Sequence, residues 1–251
     1  MSAPDPGLSE AELDAIRHSR RHPRWTQFDY LYLRMLVRDL EEALQRVPGP
    51  VRNVLDIYCG TRPYDDLLPA GARGIGLDVV GNPYGVADVV TDDFLPFEDA
   101  SFDLVTCIEA FHYVEDPVHA LSEIRRVLRP GGTVLISVPF IWEYNRAILE
   151  HRYTGPELAA LLEGWDAVDI VENGGRAVAW ATLTGTLLER LRSRVPDALG
   201  LGVLLRALGS AFFVPLNGLA LFLDRLDTRY ASGPMTLPMN LLVTARRPAG
   251  G

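Results

Sequence analysis

The stretch LDIYCGTRPY, residues 55 to 64, ends a short apolar run in an acid, a cysteine and a glycine. That order reads as a buried strand breaking into a tight turn that opens toward a ligand. A glycine turn lets backbone N–H groups approach a ligand closely, and an acid about 20 residues later, ending the next strand, can take both hydroxyls of a ribose. Asp78 lies 22 residues after Asp56. The pair suits an adenosine-bearing cofactor, although a glycine loop with one acid also serves nicotinamide and flavin proteins. The full Gly-x-Gly-x-x-Gly pattern is absent, and Tyr58 and Arg62 stand where such loops usually carry glycine. Asp92 and Asp93 could accept from an adenine amine or be surface acids ahead of the Leu95-Pro96-Phe97 turn.

Elements that could position these residues follow from periodicity. Apolar runs at Val51 to Ile57, Gly74 to Val79, Ala87 to Val90, Asp103 to Ile108 and Thr133 to Val138 read as strands. Between the last two, Pro117 to Leu128 reads as a helix stopped by Arg129-Pro130-Gly131-Gly132. Alternation of this kind implies an α/β fold with a doubly wound, mostly parallel sheet, in which ligands bind beyond the carboxyl ends of the strands. Asp56 and Gly60, Asp78, Asp92 and Asp93, and Glu109 to His112 all follow such ends. Ahead of the sheet, Ser9-x-x-Glu12 is a capping box for a helix starting near Glu10, and Trp25 to Val47 carries apolar residues every three or four positions, a second helix closed by Pro48-Gly49-Pro50. Between them, RHSRRHPR at 17 to 24 either receives a carboxylate, a phosphate or an anionic membrane surface, or is a solvated helix end.

Composition removes whole classes of chemistry. The net charge is −9 and the pI near 5.1, which argues against nucleic acid as a partner. All 24 basic residues are arginine, so Schiff-base catalysis and Lys-dependent phosphate loops are excluded. No His, Cys and carboxylate cluster has metal-ligand spacing, and there is no Gly-x-Ser-x-Gly elbow. Two cysteines in apparent strand ends and no secretory leader ahead of the first helix predict a reduced, cytoplasmic protein.

Taken in order, VLDIYCGTRPY (54 to 64), GLDVV (76 to 80), LPFEDASFDLV (95 to 105), HYVEDPVHALSEIRRVLRPGG (112 to 132) and TVLISVPF (133 to 140) resemble the class I S-adenosylmethionine-dependent methyltransferases, in particular the type 11 branch. The resemblance runs over residues 51 to 175 and implies a seven-stranded, Rossmann-like sheet. It implies that Asp56, Tyr58, Cys59, Gly60 and Thr61 border the methionine end of S-adenosylmethionine, with S-adenosylhomocysteine as product. Asp78 would take the ribose hydroxyls, Val79 the adenine face and Asp92 or Asp93 the adenine amine; Ile108 and Glu109 would lie beneath the sulfonium. HRYTGPEL, 151 to 158, resembles an Arg-Tyr-Thr segment of type 11 relatives. Its Thr154-x-x-Glu157 capping box places Arg152 and Tyr153 just ahead of a helix, where Arg152 either orients an acceptor or ties the loop down.

Methyl transfer needs in-line positioning, and a general base when the nucleophile is a hydroxyl or an acidic carbon. His112 and His151 are the candidate bases, and Tyr113 and Glu143 join Arg152 and Tyr153 as candidate acceptor contacts. Many relatives carry Glu-His where this chain has His112-Tyr113. The expected organisation is one domain: a helical cap (1–50), the cofactor core (51–175), a helical insertion (176–238) after a sixth strand at Ala167 to Glu172, and a final strand with tail (239–251). The uncharged run ALGSAFFVPLNGLALFL, 207 to 223, is too short and too interrupted for a bilayer span and predicts two short helices broken at Pro215. These would form a lid, ordinary core, or, over 199 to 223, a homodimer or peripheral membrane contact. Two functions follow: a methyltransferase acting at oxygen or nitrogen of a small sugar, lipid-like or secondary-metabolite acceptor, or a cofactor-binding protein of the same fold that has lost transfer and serves as a partner subunit, a regulator or a non-methylating enzyme.

Overall fold

Seven short apolar runs pair into one sheet of order β3-β2-β1-β4-β5-β7-β6. A computed structural model describes residues 8–92, 94–194, 201–230 and 236–250. The strands are β1 (Asn53–Ile57), β2 (Arg73–Asp78), β3 (Val89–Val90), β4 (Phe102–Ile108), β5 (Leu128–Pro139), β6 (Asp166–Asn173) and β7 (Asn240–Arg246). β1 to β5 are parallel, and β7 runs antiparallel between β5 and β6. The chain leaves β1 in one direction through β2 and β3 and returns to β4 on the other side. That reversal opens a crevice over the carboxyl ends of β1 and β4.

Local chemistry explains where the elements begin. α1 (Glu10–Arg21) starts at the predicted capping box, with Ser9 and Glu12 exchanging side-chain and backbone bonds. In α3 (Pro117–Val127) the Asp116 carboxylate accepts from His119 N at 2.9 Å, and Pro117 occupies the first turn, where no N–H is needed. α3 buries Leu121, Ile124 and Val127 against the sheet, each side chain stabilising the fold by about 1.5–3 kcal/mol. α4 (Gly155–Leu161) begins at Thr154, whose capping box with Glu157 also forms as read.

Three elements depart from their sequence patterns. α2 (Tyr30–Gln45) starts five residues late, because residues 25 to 29 form a turn whose Trp25 and Gln27 carbonyls accept from the Asn217 amide at 2.9 and 3.4 Å. β5 starts at Leu128 rather than Thr133, since Leu128 already pairs with Phe102. The expected break at Pro215 does not occur. After α5 (Arg176–Ser193), α6 (Leu201–Tyr230) is one helix with Pro215 inside it. An interior proline costs about 3 kcal/mol, and burial of Phe213, Leu216, Asn217 and Ala220 around it offsets that cost. α5 and α6 pack with α2 in a second core of Tyr30, Leu31, Leu36, Val178 and Ala181, apart from the sheet's own core.

Candidate site at the carboxyl ends of β1, β2 and β4

Where β1 ends, the backbone turns left-handed at Tyr58 (φ 55°), Gly60 (φ 56°) and Arg62 (φ 56°). Such angles suit glycine and cost other residues on the order of 1–2 kcal/mol, so Tyr58 and Arg62 must be held by their side chains. Arg62 turns beneath the sheet, donating to Asp65 Oδ2 at 2.8 Å and Asp88 Oδ2 at 2.5 Å. This is possible only because β2 carries glycine there: a Cβ on Gly76 would lie 2.8 Å from Cys59 Sγ and 3.2 Å from Arg62 Cδ. Tyr58 packs on the sheet's main core while lining a cavity of about 450 Å³.

Asp78, at the end of β2, organises that cavity. Its carboxylate is buried and accepts from Gly60 N (2.8 Å), Val79 N (2.9 Å) and the Asn82 amide (2.7 Å). A carboxylate offers about four acceptor positions, so Oδ1 retains one for a ligand hydroxyl. Asp56, on the cavity wall, accepts from Thr106 Oγ1 at 2.7 Å, and burial pushes its pKa up to about 7. Burial likewise raises the thiol of Cys59, to about 12. Thr61, Val79, Ile108 and Glu109 complete this wall.

Past β4, Glu109 (φ 57°) joins the cavity to a second one of about 510 Å³. Its carboxylate accepts from Tyr32 Oη, Ser137 Oγ (2.7 Å) and the Asn240 amide, drawing α2, β5 and β7 together. Burial still raises its pKa against those donors. Tyr113 borders both cavities, and His112 the second, with Trp142 stacked 5.2 Å from Tyr32. His112 is buried, its Nδ1 has no hydrogen-bond partner, and burial followed by the Arg152 charge lowers its pKa to about 4.

Several other predicted positions lie outside both cavities. His151 donates its backbone N–H to His112 O at 2.8 Å, behind the wall. Arg152 donates to His151 O (2.9 Å) and pairs with Glu150 (2.8 Å), the loop-tying arrangement of the two the sequence allowed. Tyr153 is buried in the main core, and Glu143 pairs with Arg190 at 2.5 Å on the surface. Asp92 is exposed away from the cavities, and Asp93 lies outside the described residues. The residues lining the two cavities include none from α5 or α6. Conversely, Ile16, Arg20, Tyr64, Asn82 and Tyr84 line the first cavity without having been anticipated. Only Arg20 had a signal, the basic run at 17 to 24; the others come from tertiary packing.

Comparison with known proteins agrees with this geometry. Residues 55–136 match the family model described as a methyltransferase domain. An uncharacterized methyltransferase of Mycobacterium bovis is 34% identical over 96 residues, 34% of this chain and 39% of the relative. A demethylmenaquinone methyltransferase of Bacillus cereus is 34% identical over 142 residues, 49% of this chain and 54% of the relative. A cycloartenol-C-24-methyltransferase of Oryza sativa is 46% identical over 106 residues, 36% and 31% of the two chains. The chain thus spans about half or less of the length of these relatives. Among solved structures, the 4+2 cyclase SpnF superposes with TM-score 0.56 at 20% identity, covering 88% of this chain and 84% of that one. A SAM-dependent methyltransferase of Thermotoga maritima gives 0.52 at 14%, covering 93% and 95%. Residues 55–136 thus match a methyltransferase domain, and the sheet order, the loop after β1 and the buried acid ending β2 share the Rossmann-like fold of the superposed structures.

Proposed function

We propose that the protein transfers a methyl group from S-adenosylmethionine to oxygen or nitrogen of a small-molecule acceptor. The observation that carries this reading is the meeting of two cavities on Glu109 and Tyr113: one fits the cofactor, the other an acceptor. The fit to the cofactor rests on the spare acceptor position of buried Asp78, the open backbone of Gly60 and the apolar face of Val79 beside them. When bound, the cofactor supplies a methyl group already activated by its sulfonium, so that the acceptor's lone pair forms the new bond as the C–S bond breaks.

The protein's part is then positioning and proton removal. Asp78 holds the ribose edge, and Glu109, fixed by three donors, keeps the floor between the cavities rigid. With a pKa lowered to about 4, His112 is neutral at pH 7 on the wall of the second cavity, the protonation state that a base for an acceptor hydroxyl requires. The second cavity sets Tyr32, Leu33, Pro139 and Trp142 beside the polar Ser19, Arg20, Asp29 and Glu109, which suits an acceptor with both apolar and polar parts, and relatives named for demethylmenaquinone and cycloartenol methylation support a small-molecule one. Buried, unpaired Cys59 and Cys107 suit a reducing, cytoplasmic setting.

A second reading, cofactor binding without transfer, is favoured by Tyr58 in a left-handed glycine position on the cavity wall. Calorimetric titration with S-adenosylmethionine, followed by a labelled-methyl assay on quinol, sterol and phenol acceptors, separates the two. Binding with transfer is expected; absence of binding at high micromolar concentration would remove both readings.

A further inference from the structure

We infer that the outer faces of α5 and α6 are where two copies of this chain meet, as a two-fold dimer. None of the residues involved lines either cavity, so the contact is independent of the cofactor reading. The two helices run antiparallel, since Arg176 at the start of α5 pairs with Asp227 near the end of α6 at 2.9 Å. Their inner faces pack on α2, through Val178 and Ala181 of α5 and Phe213, Leu216 and Ala220 of α6. What remains outward is also apolar. On α5, Trp180, Leu183, Leu187 and Leu191 recur every three or four residues, which sets them in one stripe. On α6, Phe212, Leu219, Phe222, Leu223 and Leu226 form a second stripe opposite the buried face, mostly within the uncharged run at 207 to 223. All nine are between 37% and 59% exposed.

The size of this surface matches a second protein. A whole aromatic side chain presents about 150–250 Å² and an aliphatic one somewhat less, so nine residues exposed by about half present on the order of 800 Å². The largest apolar patch on a typical monomer is roughly 300–600 Å², whereas each partner gives about 800 Å² to a standard interface. Charge then decides what covers it. Arg176 with Asp227 bounds one end of the helix pair, and Arg190 with Glu143 (2.5 Å) and Arg192 with Glu189 bound the other. An apolar centre holding tryptophan and phenylalanine, within a rim that carries both signs, has the anatomy of a protein interface. A two-fold axis lays such a rim on itself with arginine against acid, and an isologous contact of this kind needs no other partner. A lipid surface fits less well. Helices that lie on one carry an excess of basic residues on their polar face, and a chain of net charge −9 is repelled by anionic headgroups.

The test is sedimentation velocity of the full chain from low to high micromolar concentration. A mass twice the 27.7 kDa of one chain is expected. Phe222→Glu and, separately, Leu183→Glu should each weaken the dimer at least about thirtyfold, while Val118→Glu, at an exposed position of α3, leaves it intact. These side chains are exposed in the separate chain and add little to its folding, so dilute samples of all three variants should melt with the wild type. If Phe222→Glu does not fold, Leu183→Glu decides alone. Flotation with vesicles of phosphatidylcholine and phosphatidylserine runs beside the sedimentation. A wild type that stays single at high micromolar concentration overturns the inference, and flotation that Phe222→Glu abolishes would then give this face to a bilayer. A dimer that survives both glutamates overturns it as well, because the contact lies elsewhere. Failure to bind S-adenosylmethionine would remove the proposed function and leave this test standing.

Discussion

The crevice over β1, β2 and β4 and the packed pair α5 and α6 differ in how their residues are used. In the crevice, polar groups converge: Asp78 gathers three N–H donors and Glu109 three side chains. In α5 the polar groups pair along the surface, Arg176 with Asp227 and Arg192 with Glu189, and the apolar side chains divide between two faces. Val178, Ala181 and Gly185 press inward, whereas Trp180, Leu183, Leu187 and Leu191 stand at least 44% exposed on the outer face of α5. The lesson is that a ligand site is recognised by convergence of donors and acceptors, and that hydrophobicity by itself locates only packing and surface.

The contrast can be broken most severely inside the helix pair. A Cβ on Gly185 would lie 3.0 Å from Phe28 O and 3.1 Å from Phe28 Cβ, so Gly185→Leu forces α5 off the turn at residues 25 to 29 that leads into α2. Chemical denaturation should show a loss of about 3 kcal/mol, with S-adenosylmethionine affinity little changed in the surviving folded fraction.

Next in size is a pH effect in the crevice. His112 has its pKa lowered, so the unfolded chain binds its proton below pH 6.5 while the folded chain resists until about pH 4. Stability therefore falls as pH drops through that window and is unaffected by this group below it. Burial of Asp56 acts oppositely, since its folded pKa is raised from 3.8 to about 7: its contribution is fullest below pH 3.8 and is lost as pH rises toward 7. Subtracting the stability profile of His112→Asn from that of the wild type isolates the histidine, whose share should reach at most ~3 kcal/mol between pH 6.5 and 4. A flat difference profile would mean that the ring already has water access.

Asp78→Ala should weaken S-adenosylmethionine at least about tenfold, roughly 1.4 kcal/mol, because Gly60 and Asn82 lose the group that orients them. Unaltered affinity would take Asp78 out of the site. Tyr58→Gly relieves a left-handed side chain and removes a packed ring, effects of opposite sign, and a net stability loss of about 1 kcal/mol is expected. Tighter cofactor binding in this variant would show that the ring crowds the methionine end. Smallest of all, Leu187→Gln on the outer face of α5 should shift stability by no more than about 0.5 kcal/mol and leave cofactor affinity alone.

Much of the frame was readable because its signals are local. Capping boxes at Ser9 and Thr154, the proline-led start of α3 and the apolar runs of β1 and β4 each depend on neighbours a few residues away, and each formed as read. The cavity acids Asp56 and Asp78 were legible for the same reason, being tied to strand ends. Tyr153 and Arg152 misled because a position near a helix start says nothing of which way the side chain turns: one entered the core, the other bound its own loop. Asn82 and Tyr84 left no trace in any pattern, since their place on the wall arises where the loop after β2 folds back toward Gly60.

From its sequence alone the chain determined a doubly wound sheet, a pair of acids 22 residues apart at strand ends, the chemistries that a lysine-free composition forbids, and a tyrosine at position 58 where such loops usually carry glycine. Tertiary structure decided which arginine of the basic run faces inward, which histidine borders a cavity, and that Pro215 stays within a helix. The division has a physical cause. Hydrogen-bond capping and strand periodicity act over a few residues and are written in order along the chain, whereas a cavity wall is assembled from side chains whose separation along the sequence carries no information about their contact.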